Sequence, residues 1–228
     1  DILDFNMGCP APKVVKNGEG SALMREPKKA EEILTAVRRA TKLPFTVKMR
    51  LGWDDASRNA VEIARMAEAV GVDAVAVHGR TREQFYSGNA DYAAIAEVKR
   101  AVKIPVIVSG DIRRPADLAR ALDITGADAV MIGRGAQGNP WIFPRLIHWL
   151  HTGEELPPPT LIERARVILR HLDLLVGYKG EYVGIREMRK HAAWYTRGLA
   201  GSAELRERFN RAASKDEFVN ILREAWEI

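Results

Sequence analysis

The sequence predicts an α/β protein of the (β/α)8-barrel type, with about five βα units present, followed by a small all-helical domain. Three observations predict it. Short apolar, β-branched runs alternate with amphipathic stretches through residue 152. Polar or glycine-rich residues follow each apolar run, as they do where a barrel gathers its site at the strand ends. A proline-rich segment, residues 153–160, then separates this pattern from residues 161–228, which carry no strand signal.

The expected strands are residues 2–5, 45–49, 74–77, 106–108 and 129–132, apolar enough to be buried on both faces. The expected helices between them are residues 28–41, 60–70, 92–102 and 116–124. Each ends at a stop signal, Leu43-Pro44, Val70-Gly71, Ile104-Pro105 or Thr125-Gly126. Strand and helix in alternation mean a parallel sheet. An open doubly wound sheet is the alternative, but the first unit has no G-x-G-x-x-G turn. Five units fall short of a closed barrel, so about three are expected to be missing at the front. The chain also opens on Asp1 inside a strand-like run, as a fragment would. After the linker, two or three helical segments are expected in residues 161–228. Trp141 and Phe143 read as a core plug beneath the linker.

With 228 residues and 46% hydrophobic side chains, the chain can bury one large core plus an appendage. No apolar run approaches the ~18 residues of a membrane span, and no leader pattern is visible. A lone cysteine fits a reducing cytoplasm and excludes an internal disulfide or a cysteine-built zinc site. The formal net charge of +5 suits an anionic partner where the charge clusters.

That cysteine, Cys9, lies in the turn Asn6-Met7-Gly8-Cys9-Pro10, on the side of the strand where parallel α/β proteins place chemistry. Core filler is its other reading. Lys48 and Arg50 are two apart on one strand and so face the same way. Two such cations call for an anion or an electron-rich ring, unless they emerge into solvent. His78-Gly79-Arg80 repeats the theme, with a hydrogen-bonded structural histidine as the plainer reading. Ser109-Gly110-Asp111 and Gly133-Arg134-Gly135 end the next two strands and could present backbone N–H groups to a phosphate, although Asp111 could equally cap the following helix. In the helical part, Ile185, Met188, Ala192 and Tyr195 share one helix face, while Arg186, Arg189, Lys190 and Arg197 lie on another. Residues 161–228 hold 13 Lys and Arg against 10 Asp and Glu, a modest excess that suits a nucleic-acid backbone slightly better than bare surface.

These motifs together resemble the bacterial tRNA-dihydrouridine synthases, most of all the B-type branch. The resemblance is carried by Asn6-Met7-Gly8-Cys9-Pro10, Val47-Lys48-Met49-Arg50-Leu51-Gly52-Trp53, His78-Gly79-Arg80-Thr81-Arg82, Gly110-Asp111, Ile132-Gly133-Arg134-Gly135 and Arg186-Glu187-Met188-Arg189-Lys190-His191. It covers essentially the whole chain. It implies an FMN-binding barrel followed by a helical tRNA-binding domain, and reduction of a uridine C5–C6 double bond in tRNA with NADPH as electron source. Flavin hydride would go to C6, and Cys9 would be the proton donor; an ordinary thiol is protonated at neutral pH and can serve as an acid. Lys48, His78, Ser109, Gly110, Asp111, Gly133 and Arg134 would contact FMN. Asn6 and Arg50 would neighbour the flavin or base, Arg80 would contact an anion on the substrate side, and Arg186, Arg189, Lys190 and Arg197 would hold RNA. The resemblance further implies a cytoplasmic monomer in its full-length form, with no metal and no membrane. One departure is Ser109, where the family usually has asparagine. The family's Pro-Met-Ala-Gly loop and a flavin-contacting glutamine would precede Asp1. The alternatives are another FMN-barrel oxidoreductase acting on a small molecule, which would leave Arg186 to Arg197 without a role, or an inactive RNA-binding fragment.

Overall fold

The structure is a computed structural model that describes residues 1–227. It divides into two compact units, residues 1–133 and residues from 134 onward. The boundary expected from sequence lies later, at the linker 153–160.

The first unit opens with strand β1 (Leu3–Met7), the short helix α1 (Pro12–Val15) and a 3-10 turn (Gly20–Arg25). Helix α2 (Pro27–Ala40) and strand β2 (Phe45–Arg50) follow, then α3 (Ala60–Val70), β3 (Ala74–His78), α4 (Tyr92–Ala101), β4 (Val106–Ser109), α5 (Pro115–Thr125) and β5 (Ala129–Met131). The five strands are all parallel and lie in sequence order, each beside the last. A doubly wound sheet would reverse that order at a switch point. Unbroken succession is the winding of a (β/α)8 barrel, and this sheet is five consecutive units of it. The expected α3 coincides with the observed helix. Proline at the first turn starts α2 and α5, where its missing N–H costs nothing.

Alternation along the strands sorts the side chains. Phe45, Val47, Met49, Val75, Val77, Val106 and Val108 face the helices and are fully buried. Ile63, Ala64, Ala67, Ile95, Val98 and Leu118 on the helices are buried as well. The opposite face carries the polar residues, so β2 alternates and is not the uniformly apolar run expected. The edges differ from the middle: β1 is largely exposed and β5 has no buried residue.

The second unit begins with a 3-10 turn (Arg134–Ala136) and α6 (Ile142–Thr152). Four helices follow, α7 (Leu161–Lys179), α8 (Glu181–Tyr195), α9 (Ser202–Arg211) and α10 (Lys215–Trp226), where two or three were expected. The extra break comes at residues 212–214, where Ser214 caps α10 by accepting from the Glu217 N–H at 3.2 Å. The expected apolar face of α8 is the core: Ile185, Met188, Ala192 and Tyr195 are buried with Ile168, Leu172, Phe209 and Phe218. Trp141 packs against that cluster, edge-on to Tyr195 at 6.2 Å. Phe143, expected to share the plug, is 47% exposed, because two residues further along α6 it points to the other side of the helix.

Candidate active site at the strand ends

The strand register gathers the predicted residues on one face. Asn6, Lys48, Ala76, Ile107 and Ala129 form one row across the sheet. Arg50, His78, Ser109 and Met131 form the next, at the C-terminal ends of the strands. Residues in register on parallel strands point the same way. The face opposite the helices therefore carries five residues singled out from sequence, with alanines between them.

Cys9 stands on a braced turn. The Asn6 side-chain oxygen accepts from the N–H groups of Gly8 at 2.9 Å and Cys9 at 3.0 Å. The Cys9 carbonyl accepts from the Ser21 N–H at 3.0 Å and its hydroxyl at 2.9 Å. Gly20 makes that second brace possible. Its φ is +59°, and a Cβ there would lie 2.8 Å from the Cys9 carbonyl oxygen. The thiol itself is free and partly exposed. It borders a cleft of about 440 Å³ that Phe5, Val14, Leu23 and Ile33 also line.

Arg50 is 2% exposed and holds this turn to the next two loops. Its guanidinium donates to the carbonyls of Gly8 (2.9 Å), Thr81 (2.8 Å) and Phe85 (2.8 Å). The sequence suggests a cation facing a ligand; the structure surrounds it with carbonyls. Arg80 is 1% exposed and likewise internal. It donates to Asp111 at 2.7 Å, to Gly88 at 2.6 Å and to Ser87 at 2.9 Å. Asp111 also accepts from the Ala90 N–H at 2.8 Å and does not cap α5, whose cap position is Arg114. Gly110 fits only without a side chain: its φ is +124° and a Cβ would lie 2.8 Å from that of Ala90.

His78 sits against this ion pair, its Nε2 3.4 Å from Arg80. Burial, then the charges of Arg50, Lys48 and Arg80, push its pKa down to about 3. The ring is neutral at pH 7. Since arginine can only donate, Nε2 accepts and Nδ1 carries the proton. Lys48 differs from its neighbours. It is half-buried, and among the described residues it has no hydrogen-bond or ion-pair partner. Burial first, then Arg50, lower its pKa, while Asp4 and Cys9 are near enough to oppose the shift.

The remaining expected residues lie elsewhere. Gly133 ends the first unit with open space where a Cβ would go. Arg134 is exposed in the turn that opens the second unit. On α8, Arg186 is exposed and stacks on Tyr182, and Lys190 stands 5.0 Å over Trp194. Arg189 instead turns inward and donates twice to the Ala212 carbonyl, at 3.2 and 2.6 Å, closing the end of α9. Arg197 lies beyond the end of α8 and so is not on its basic face. Ser21, Gly20 and the Arg80–Asp111 pairing carry no signal in the sequence pattern and emerge only from the fold. Among the described residues no cluster of metal-ligating side chains occurs, and no helix is long and apolar enough to cross a membrane.

A singly wound parallel sheet with a braced thiol and a half-buried lysine at its strand ends defines an enzyme of the (β/α)8-barrel class. The family model described as dihydrouridine synthase matches residues 1–227. A probable tRNA-dihydrouridine synthase of Rickettsia bellii is 51% identical over 96% of this chain and 69% of its own length. The tRNA-dihydrouridine synthase B of Xanthomonas axonopodis is 49% identical over 98% of this chain and 67% of its own. The chain belongs to the dihydrouridine synthase family, and it spans about two thirds of the length of these relatives. Among solved structures, a nitroalkane oxidase from Streptomyces ansochromogenes aligns at 24% identity over 60% of this chain and 34% of its own, with a TM-score of 0.36.

Proposed function

We propose that this chain is the greater part of an FMN-dependent enzyme that reduces a uridine C5–C6 double bond in tRNA, with Cys9 as proton donor. One observation carries the reading: a free, partly exposed thiol on a turn braced by Asn6, Ser21 and Arg50, beside a half-buried lysine with no hydrogen-bond or ion-pair partner among the described residues.

The residues present fit a flavin. Among the described residues Lys48 has no ion-pair partner, and its register neighbour on the next strand is the small Ala76. Lys48 would hold the electron-rich edge of the ring. His78, neutral and fixed in one tautomer, would offer hydrogen-bonding capacity without adding charge. Ser109 and Gly110 would take the cofactor from the next strand end; at Ser109 a backbone contact would serve as well as in the family's usual asparagine. A bound flavin, reduced by NADPH, supplies the hydride for C6. Cys9 then gives its proton to C5, and Lys48 is near enough to stabilise the thiolate left behind. Asn6 keeps its side-chain NH2 group for the base while its oxygen holds the turn. Arg50, Arg80 and Asp111 act by positioning these groups. The target uridine would have to be extruded to reach them, with Arg186 and Lys190 gripping RNA backbone by charge.

The test replaces Cys9 by alanine in a chain lengthened to the span of its relatives. Flavin and tRNA binding are expected to persist, while single-turnover dihydrouridine formation falls by about 10² to 10⁴. An unchanged rate would remove Cys9 from the reaction.

A further inference from the structure

Three loops follow β1, β2 and β3 at the end of the sheet where Cys9 lies, and one residue from each meets its neighbours in a single stack. Arg25, closing the 3-10 turn after β1, places its guanidinium carbon 4.7 Å from the centre of the Trp53 ring. Arg82, just after β3, does the same at 4.6 Å. Backbone bonds fix the geometry: Arg82 N–H donates to the Gly52 carbonyl and Glu83 N–H to the Trp53 carbonyl, both at 3.0 Å.

No carboxylate pairs directly with the stack. Among the described residues neither Arg25 nor Arg82 forms an ion pair; Asp54 is near enough for its charge to meet that of Arg25, but it and most of the acids close by in sequence hydrogen-bond or pair with other groups. Asp54 holds Ser57, and Asp55 and Asp91 hold Arg58. Glu26 lies 3.8 Å from Lys29. The Arg82 Nε is buried with no acceptor. A guanidinium lying flat on an indole keeps its N–H edge for an oxyanion. Two such edges on one ring repel each other until an anion joins them, and an unmet buried donor gains when the side chain is drawn to one.

We propose that Arg25 and Arg82, stacked on Trp53, form a phosphate clamp that grips RNA backbone beside the nucleotide presented to Cys9. This rests on the reading of the chain as an RNA-modifying enzyme. A nucleotide taken out of a folded RNA brings its flanking phosphates across the rim of the site, and contacts to those phosphates set register without reading sequence.

The experiment measures tRNA affinity against salt for the wild-type chain, R25Q and R25Q/R82Q, with a thermal melt of each. Each phosphate contact adds about 0.7 to 0.9 to the slope of log K against log salt. R25Q is expected to make the slope shallower by about that amount, and the double variant by roughly twice as much, without loss of folding. Arg25 is exposed, so R25Q decides the matter even if the double variant unfolds. An unchanged slope in folded R25Q overturns the clamp and leaves the stack as a weld between loops. If saturating NADP⁺ erases the difference between wild type and variant, the anion held is the dinucleotide's and the RNA assignment is wrong. Failure of the wild-type chain itself to bind tRNA would be seen before any variant, and would overturn the functional reading together with the clamp.

Discussion

The strand ends of the sheet unit and helix α8 of the helical unit are similar in sequence, since both are short stretches crowded with Arg, Lys and His. In structure they differ in who holds the charge. At the strand ends, Arg50 and Arg80 are almost inaccessible, and their guanidiniums meet backbone carbonyls and Asp111. On α8, Arg186 and Lys190 are exposed and lean on aromatic rings of their own helix. A cation surrounded by acceptors is architecture, and one resting on a ring in solvent still has its donors to give. Lys48 lies between the two, less buried than Arg50 and Arg80 and, among the described residues, with no hydrogen-bond or ion-pair partner of its own.

The sharpest way to break this comparison is at Arg80. Replacing it by methionine removes the guanidinium that donates to the Asp111 carboxylate and to the Gly88 and Ser87 carbonyls. Losing one partner of a buried ion pair costs about 3–5 kcal/mol. Arg80→Met is therefore expected to lower the stability of the sheet unit by that order, measured as the shift of its urea-unfolding midpoint. A loss below about 1 kcal/mol, the range of exposed pairs, would mean that Arg80 belongs with the α8 cations.

Lys48→Met should do the opposite. The depressed pKa of Lys48 says that folding disfavours its charge, chiefly through burial. The apolar replacement is expected to leave the fold as stable or slightly more so, and to weaken flavin binding by about 1.5–3 kcal/mol, the worth of a hydrogen bond to a charged group. Full flavin occupancy in the variant, read from the absorbance ratio, would show that Lys48 is only a solvated side chain.

His78 tests the same contrast through pH. Its pKa falls from the usual 6.5 to about 3 in the folded chain. Below pH 6.5 the unfolded state therefore binds more protons than the folded one, so stability is complete above that pH and declines as pH drops toward 3. The urea midpoint should fall steadily through this window, and His78→Asn should flatten the decline. Equal slopes in the two proteins would place the imidazole outside the cationic row of Arg50 and Arg80.

Much of this was legible in the chain, for identifiable reasons. Residues 60–70 repeat apolar side chains at helical spacing between two clear breaks, and α3 has those limits. Lys48 and Arg50 had to share a face because a strand alternates, and the register bears this out. Partners were not legible. Arg80 meets Asp111 across 31 residues, and Ser21 meets Cys9 across 12, by tertiary packing that no local pattern encodes. Arg189 reads like Arg186 three residues earlier, yet the next helix end lies beside one and not the other. Nor does composition reveal that Phe143 faces outward while Trp141 packs on the helical core.

The smallest expected effect on folding, and the one that closes the comparison, is at Arg186 and Lys190. Both are exposed, and among the described residues neither forms an ion pair: the Glu187 carboxylate beside them is held chiefly by Lys179 at 2.7 Å, and Arg186 donates to the Tyr182 carbonyl of its own helix at 3.1 Å. R186Q/K190Q is therefore expected to shift the thermal midpoint by no more than surface changes usually do, within about 0.5 kcal/mol. Its effect should appear in RNA affinity instead, as a uniform weakening across tRNA sequences that grows smaller at high salt, where counterion release no longer favours binding. Arg189 supplies the internal control. It sits between the two in sequence but donates to Ala212, so Arg189→Gln should destabilise the helical unit while leaving the salt dependence of RNA binding nearly unchanged. If instead R186Q/K190Q unfolds the helices, or Arg189→Gln alone reduces the salt dependence, then exposure and hydrogen bonding do not separate the cations that build this molecule from those that serve its partner.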